Sequence, residues 1–277
     1  MNQWKIGVNI DKKNPFEWLD ALKEIGYDSY LTMWLEDREM LERTVAYGAK
    51  CNLELTSLHA PFKRIAKIWA EGDEGDDVAS ELETCIDDCV RFGAPVLVSH
   101  PFIGFQDHNP TPIGVERYRR VGEYAARKGI KLAIENVEGE EYLDYLLPRL
   151  RDIPSIGFCL DTGHELCYNR GRDMLADYGD LLCYLHLNSN LGVTSPEGEI
   201  TFYDDAHMLP FDGIADMEGL ARRLKNCGFK GHLTMELCKG NRPGRHTNDA
   251  YEQMSLLDYL AEAYQRGRRL AELMEKD

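Results

Sequence analysis

Six apolar runs in this 277-residue sequence end on a residue that can bind a cation or carry a proton. They finish Ser57-Leu58-His59, Val98-Ser99-His100, Ala133-Ile134-Glu135, Cys159-Leu160-Asp161, Tyr184-Leu185-His186 and Thr234-Met235-Glu236. Asp161 opens an Asp161-Thr162-Gly163-His164 turn, and Asp205-Ala206-His207 follows the fifth run. Five of the eight histidines therefore stand at or just beyond run ends: His59, His100, His164, His186 and His207. Imidazoles and carboxylates converging on one point make a metal-site composition. Without a cation, three converging carboxylates would repel one another and at least one would take up a proton. Mixed nitrogen and oxygen donors suit Zn²⁺, Mn²⁺, Co²⁺ or Fe²⁺ better than Ca²⁺. No cysteine is expected at a converging end, which argues against an iron–sulfur cluster or a closed structural zinc site. Cys85 and Cys89 lie four apart on one helical face and read as core.

Convergence requires a scaffold. Eight strand-like runs are expected: Lys5–Ile10, Asp28–Trp34, Leu53–His59, Pro95–His100, Ile130–Glu135, Ile156–Asp161, Leu182–His186 and Gly231–Glu236. Most are apolar throughout, as in parallel strands buried on both faces. Helical patterns separate them: Pro15–Ile25, Asp37–Gly48, Val78–Phe92, a helix from Thr111-Pro112 to Lys128, Glu140–Leu150, Met174–Tyr178, Met217–Cys227 and Asn248–Glu275. Asp37 and Thr111 read as N-caps, and Gly129 as a helix stop. The pattern predicts an α/β fold, a single (β/α)8 TIM barrel, over residues 1–277 as one domain. A doubly wound sheet is disfavoured: no glycine-rich phosphate turn follows the first strand, and polar residues end many strands instead of gathering at one switch point.

Charge bears on partners. Asp and Glu outnumber Lys and Arg by 48 to 32, a net −16. That surplus repels nucleic acid and anionic lipid on average. No apolar run is long enough to span a bilayer. The start, Met1-Asn2-Gln3-Trp4-Lys5-Ile6, has no signal-peptide core, and eight cysteines are too sparse for a disulfide scaffold, so a reduced cytoplasm is expected. Cys159, Cys183 and Cys238 sit in strand-like runs and read as small buried hydrophobes.

The Asp161-Thr162-Gly163-His164 turn, the Glu135-Asn136 strand end and the His186-Leu187-Asn188 strand end resemble the xylose-isomerase-like TIM barrels. That superfamily holds sugar and sugar phosphate isomerases and epimerases, and the endonuclease-IV-type AP endonucleases. The resemblance implies one divalent metal, Zn, Mn or Co, on Glu135, Asp161, His186 and Glu236. It implies Glu135 and Glu236 as catalytic acid/base groups that move a proton through a cis-enediolate, with His164 polarising substrate oxygens or holding a second ion. The nuclease branch adds further ligand positions, similar here to His59, His100, His164, Asp205 and His207, so more than one ion is in view.

The loops qualify the nuclease reading. Lys63, Arg64 and Lys67 form the best cationic cluster, and acidic Glu71–Asp77 follows at once. Asp205–Gly213 also resembles a turn found in sugar-isomerase-like members. The leading expectation is thus a metal-dependent sugar isomerase or epimerase with a small-molecule substrate. A multi-zinc phosphodiesterase and a metal-binding barrel without catalysis stand as alternatives. Trp34, Phe62, Trp69 and Phe102 read either as aromatic walls against sugar C–H faces or as core. Asn136, Asn188 and Arg242 are expected to bind substrate. The Arg242 and Arg245 loop reads as a phosphate grip or as solvated basic surface. Oligomeric state is open: the C-terminal helix packs on the barrel or reaches a second copy.

Overall fold

The computed structural model describes residues 4–106 and 108–276. All eight expected strands form: β1 Ile6–Asn9, β2 Ser29–Met33, β3 Glu54–His59, β4 Val96–Ser99, β5 Lys131–Glu135, β6 Ile156–Asp161, β7 Leu182–His186 and β8 Leu233–Met235. They pair in parallel in the order β7-β6-β5-β4-β3-β2-β1-β8. The Leu187 N–H donates to the Thr234 carbonyl at 2.9 Å and the Glu236 N–H to the Leu187 carbonyl at 3.2 Å. Those bonds bring β7 to β8 and make a nearly closed (β/α)8 barrel. The strand C-termini meet at one mouth, where barrels of this kind carry their chemistry.

The helices are α1 Pro15–Ile25, α2 Arg38–Lys50, α3 Asp73–Phe92, α4 Pro112–Lys128, α5 Glu140–Leu150, α6 Thr162–Cys167, α7 Met174–Tyr178, α8 Met217–Asn226, α9 Asp249–Glu252 and α10 Leu256–Glu275. Asp37 caps α2 by accepting from Met40 N–H at 2.9 Å. Gly129 ends α4 at φ +72°. Thr111 departs from expectation: its hydroxyl donates to the Trp69 carbonyl at 2.6 Å and makes no cap bond. Helix α3 starts a turn before Val78, because Asp73, Glu74 and Asp76 favour a helix N-terminus. The expected last helix is broken after Glu252. Ser255 accepts from Asp258 N–H at 3.0 Å and starts α10 afresh. Helix α10 packs against α1 and α8 of its own barrel. Cys85 and Cys89 are buried core, and all eight cysteines are free thiols. Among the described residues, no helix is long and apolar enough to cross a membrane.

One buried cation fixes the loop between β3 and α3. Arg117 on α4 is only 5% exposed. It donates to the carbonyls of Ile68 at 3.0 Å, Ala70 at 2.5 Å and Gly72 at 2.8 Å, and pairs with Asp76 at 3.2 Å. Arg117→Met leaves those carbonyls unpaired. It should cost about 3 kcal/mol, read as a lower denaturant midpoint; an unchanged midpoint would refute the role.

Candidate metal centre

The six strand ends converge as their spacing requires. Glu135, at the end of β5, is fully buried beneath four imidazoles. Its Oε2 lies 3.2 Å from His59 Nε2 and 3.4 Å from His100 Nε2. Its Oε1 lies 3.0 Å from His186 Nδ1 and 3.4 Å from His164 Nδ1. His186 Nδ1 also reaches Glu236 Oε2 at 3.2 Å. Across the mouth, Asp205 Oδ2 contacts His207 Nε2 at 2.9 Å, His164 Nε2 at 3.5 Å and Arg242 at 2.6 Å.

The donor atoms fall into linked groups. Glu135, Asp161, His186 and Glu236 offer ligand atoms that all lie within 4.8 Å of one another. His59, His100 and Glu135 form a second group, and Asp161, His164 and His207 a third. Glu135 is shared between the first and second of these groups, and Asp161 between the first and third. Every ligand position expected from the sequence is therefore at the mouth.

The imidazoles are held as ligands are held. His59 Nδ1 faces the Ala60 carbonyl at 2.9 Å, His164 Nδ1 the Asn136 carbonyl at 2.9 Å and His207 Nδ1 the Glu236 carbonyl at 3.0 Å. A carbonyl only accepts, so each Nδ1 carries a proton and each Nε2 is turned towards the carboxylates, His59 to Glu135 and His164 and His207 to Asp205. This is the second-shell arrangement of metal-binding histidines. His186 Nε2, His100 Nδ1 and Asp205 Oδ1 are buried with no hydrogen-bond partner. Orphaned donors in a buried imidazole–carboxylate cluster fit a divalent cation. His207 also bears backbone strain, at φ +46°.

Burial and mutual charge set the protonation. Burial would raise Glu236, but His186 and His207 outweigh it and hold the carboxyl at about 2. Glu135 is likewise held well below the usual carboxylate range against its burial, by His186, His100 and His164. Burial lifts Asp161 to about 6, although His164 and His207 oppose it. His207 is raised to about 9 despite burial, by Asp205 and Glu236. His164 and His186 are also raised, against burial, by the surrounding acids.

Several expected substrate contacts lie elsewhere. Trp34 does not line the mouth. Its neighbour Met33 points inward, so strand alternation sends Trp34 outward, where its indole donates to Asp88 on α3 at 2.6 Å. Trp69 and Phe102 are also core: Trp69 donates to the Pro101 carbonyl at 2.6 Å, and Phe102 stacks on Tyr142 at 4.0 Å. Asn136 and Asn188 are buried braces and do not line the cavity. Asn136 accepts from Asp161 N–H at 2.7 Å and donates to the Asp161 carbonyl at 2.9 Å. Asn188 donates to Asp161 Oδ2 at 2.8 Å, while Asp161 Oδ1 accepts from His164 N–H at 2.7 Å and caps α6. Phe62 and Arg242 do reach the mouth. Phe62 stacks on His100 at 4.7 Å, and Arg242 is held between Asp205 and the Phe202 ring, 4.4 Å away.

A cavity of about 340 Å³ opens over these donors. His59, His100, His164, Asp205, His207 and Glu236 face it, and Glu135, Asp161 and His186 lie beneath. Met33, Phe62, Ile103, Phe105, Tyr168 and Phe202 make apolar walls, with Lys12, Glu138 and Arg242 as the charged wall residues. Tyr168 was findable in principle. It stands four residues after His164 and stacks on that ring at 4.8 Å, but α6 was not expected. Cysteine is absent from the six strand ends, as expected from the sequence, but one thiol lies close below them. Cys159 lies within 4.8 Å of ligand atoms of Glu135 and His186. It pairs with Glu135 across β5–β6, while Asp161 pairs with His186 across β6–β7, so the barrel stagger brings it level with the donors.

A (β/α)8 barrel with imidazoles and carboxylates buried at its C-terminal mouth is the class that fold and site define. The chain belongs to the xylose isomerase-like TIM barrel family, whose sequence pattern matches residues 16–260. It is 26% identical over 258 residues to the uncharacterized protein y4fM of Sinorhizobium fredii, covering 79% of each chain. A xylose isomerase domain protein from Planctomyces limnophilus, 17% identical, superposes over 98% of both chains with a TM-score of 0.72. D-allulose 3-epimerase from Methylomonas sp., solved with D-allulose, is 15% identical and matches 97% of this chain and 98% of its own, also at 0.72. At such identities the structural likeness is one of fold.

Two predictions follow from the geometry. An added Cβ at Gly163 would lie 1.9 Å from Asn188 Oδ1. Gly163→Ala should push Asn188 off Asp161 and weaken metal binding by about 10- to 100-fold with the far-UV spectrum unchanged; wild-type affinity would rule this out. Protons compete with the cation, since His207 holds one up to about pH 9 and Asp161 up to about pH 6. Metal affinity should therefore rise from pH 6 to pH 9, with net proton release at pH 7 in calorimetry across buffers. A flat profile without proton release would contradict it.

Proposed function

We propose that this protein is a divalent-metal-dependent sugar epimerase or isomerase, acting on a ketose, keto-sugar or related polyol. The carrying observation is the four-donor group of Glu135, Asp161, His186 and Glu236 beneath a cavity of small-molecule size. Those four would hold the ion, Zn²⁺, Mn²⁺ or Co²⁺ by donor type. When bound, a divalent cation supplies Lewis-acid polarisation of a carbonyl and acidifies the neighbouring C–H.

The protein's own groups do the rest. Glu236 lines the cavity and stays ionised, so its carboxylate takes the proton from the substrate carbon. Return by Glu236 to the adjacent carbon on the same face of the enediolate gives isomerisation. Return to the opposite face gives epimerisation and needs a second acid, the role assigned to Glu135, which is ionised at rest and must first take up a proton from solvent, while Glu236 afterwards releases to solvent the proton it removed. Glu135 is fully buried below the cavity floor, so in this reading that transfer requires it to move towards the substrate. His164 lines the cavity and, held protonated by the surrounding acids, can donate a hydrogen bond to a substrate oxygen. The apolar walls exclude water and give the sugar C–H faces a surface.

A second reading, a multi-ion phosphodiesterase, is favoured by the linked groups, whose eight donors stand beside Asp205. The wall opposes it: among the described residues Lys12 and Arg242 are its lysine and arginine groups, and Arg242 is already paired with Asp205. Duplex binding needs several phosphate contacts.

Proton exchange into D₂O over a panel of ketoses and keto-sugars tests the proposal. Glu236→Gln should cut exchange by about 10²- to 10⁴-fold while the chain stays folded. Full activity in that variant would overturn the assignment. Three zinc ions per chain with incision of an abasic-site oligonucleotide would replace the first reading by the second.

A further inference from the structure

Beneath the four-donor group lies a thiol that the proposed reaction does not use. Cys159 is fully buried, and its Sγ, a Glu135 oxygen and a His186 ring nitrogen all lie within 4.8 Å of one another. The surrounding interior layer is apolar, with Leu31, Val98, Ala133 and Tyr184 packed about the thiol. His186 is itself fully buried and carries a ring nitrogen, Nε2, with no partner. A buried imidazole, thiol and carboxylate whose donor atoms all lie within 4.8 Å of one another make a three-ligand set for a thiophilic cation.

Its chemistry differs from that of the upper group. The four upper donors offer only nitrogen and oxygen, which suit Mn²⁺, Co²⁺ or Zn²⁺. The lower trio adds sulfur, which selects thiophilic ions and is ignored by hard ones. We propose that Glu135, Cys159 and His186 form an inner site for a thiophilic divalent ion such as Cd²⁺ or Zn²⁺. The inference rests on reading the upper group as the catalytic metal site. On binding, the Cys159 S–H bond breaks heterolytically. The sulfur keeps the electron pair and donates it to the cation, and the proton leaves to solvent. Glu135 and His186 serve both groups, so an ion drawn onto sulfur takes two of the four upper donors. Thiophilic metals are thereby competitive with the productive ion, and Cys159 sets that selectivity.

The test titrates metal-free full-length protein with Cd²⁺ and, separately, with Mn²⁺. Wild-type protein should show one cadmium–thiolate charge-transfer band per chain and a sulfur scatterer in cadmium X-ray absorption. Prior Cd²⁺ should block Mn²⁺ uptake. Cys159→Ala and Cys159→Ser should lose the band and bind Cd²⁺ at least about tenfold more weakly, with Mn²⁺ affinity unchanged. The wild-type spectrum decides the matter even if neither variant folds. A sulfur-free cadmium sphere with normal Mn²⁺ binding would overturn the inner site alone. Failure to bind Mn²⁺ at all would overturn the four-donor reading beneath it.

Discussion

Everything at the mouth depends on burying four carboxylates, Glu135, Asp161, Asp205 and Glu236, within reach of five imidazoles. An isolated buried carboxylate is costly and would neutralise itself by taking up a proton. Here the acids instead hold protons on their neighbours. Glu135 and Asp205 stay ionised against their own burial, and His164, His186 and His207 are raised in exchange. Asp161 alone among the four is pushed upward. Positive charge must enter this cluster as protons or as a cation, and the two exclude each other on the same lone pairs. The net −16 of the chain is thus irrelevant at the point that matters. Local pairing, not the global count, decides what the mouth attracts.

Holding such a cluster in register falls to residues that carry no charge. Asn136 ties β5 to β6 through both backbone polar groups of Asp161, and Asn188 reaches back from β7's end to the same side chain. Thr162 closes the loop by donating to the Asn188 carbonyl at 2.6 Å and accepting its N–H at 2.9 Å. Gly163 is small because Asn188 occupies the space a side chain would need. The Asp161-Thr162-Gly163-His164 turn thus places two candidate ligands and also packs against the end of the neighbouring strand.

The strands were legible because burial on both faces makes continuous apolar runs, and each polar end interrupts its run visibly. The ligand positions followed from those ends. What could not be read was which residue of an alternating pair faces the cavity near a strand end. Trp34 and Met33 are adjacent, yet only Met33 faces the cavity. Asn136 and Asn188 look like substrate contacts in sequence, because an amide that braces and an amide that binds have the same letter. Cys159 hid for another reason. It lies two residues before the strand end, and only the stagger between β5, β6 and β7 lifts it level with Glu135. Helix α6, one and a half turns long, was too short to show a period, and Tyr168 went unseen with it.

Shared ligands have a further consequence for the linked groups. Glu135 joins the His59–His100 side to the four-donor group, and Asp161 joins that group to the His164–His207 side. A carboxylate has two oxygens, so each bridge can serve two ions only by giving one oxygen to each. Asp161 has both oxygens engaged already, Oδ1 by the His164 amide and Oδ2 by Asn188. It can still lend a lone pair, but only within the orientation those bonds allow. Among the described residues, Glu135 has no amide or hydroxyl bond of this kind; the groups against its oxygens at 3.0–3.4 Å are imidazoles. The Glu135 bridge is therefore the adaptable one and the Asp161 bridge the fixed one. Occupancy of the central group should reorient Glu135 first, and through it the His59–His100 side, while the His164–Asp205–His207 side keeps its geometry through its own bonds to Asp205 and Arg242.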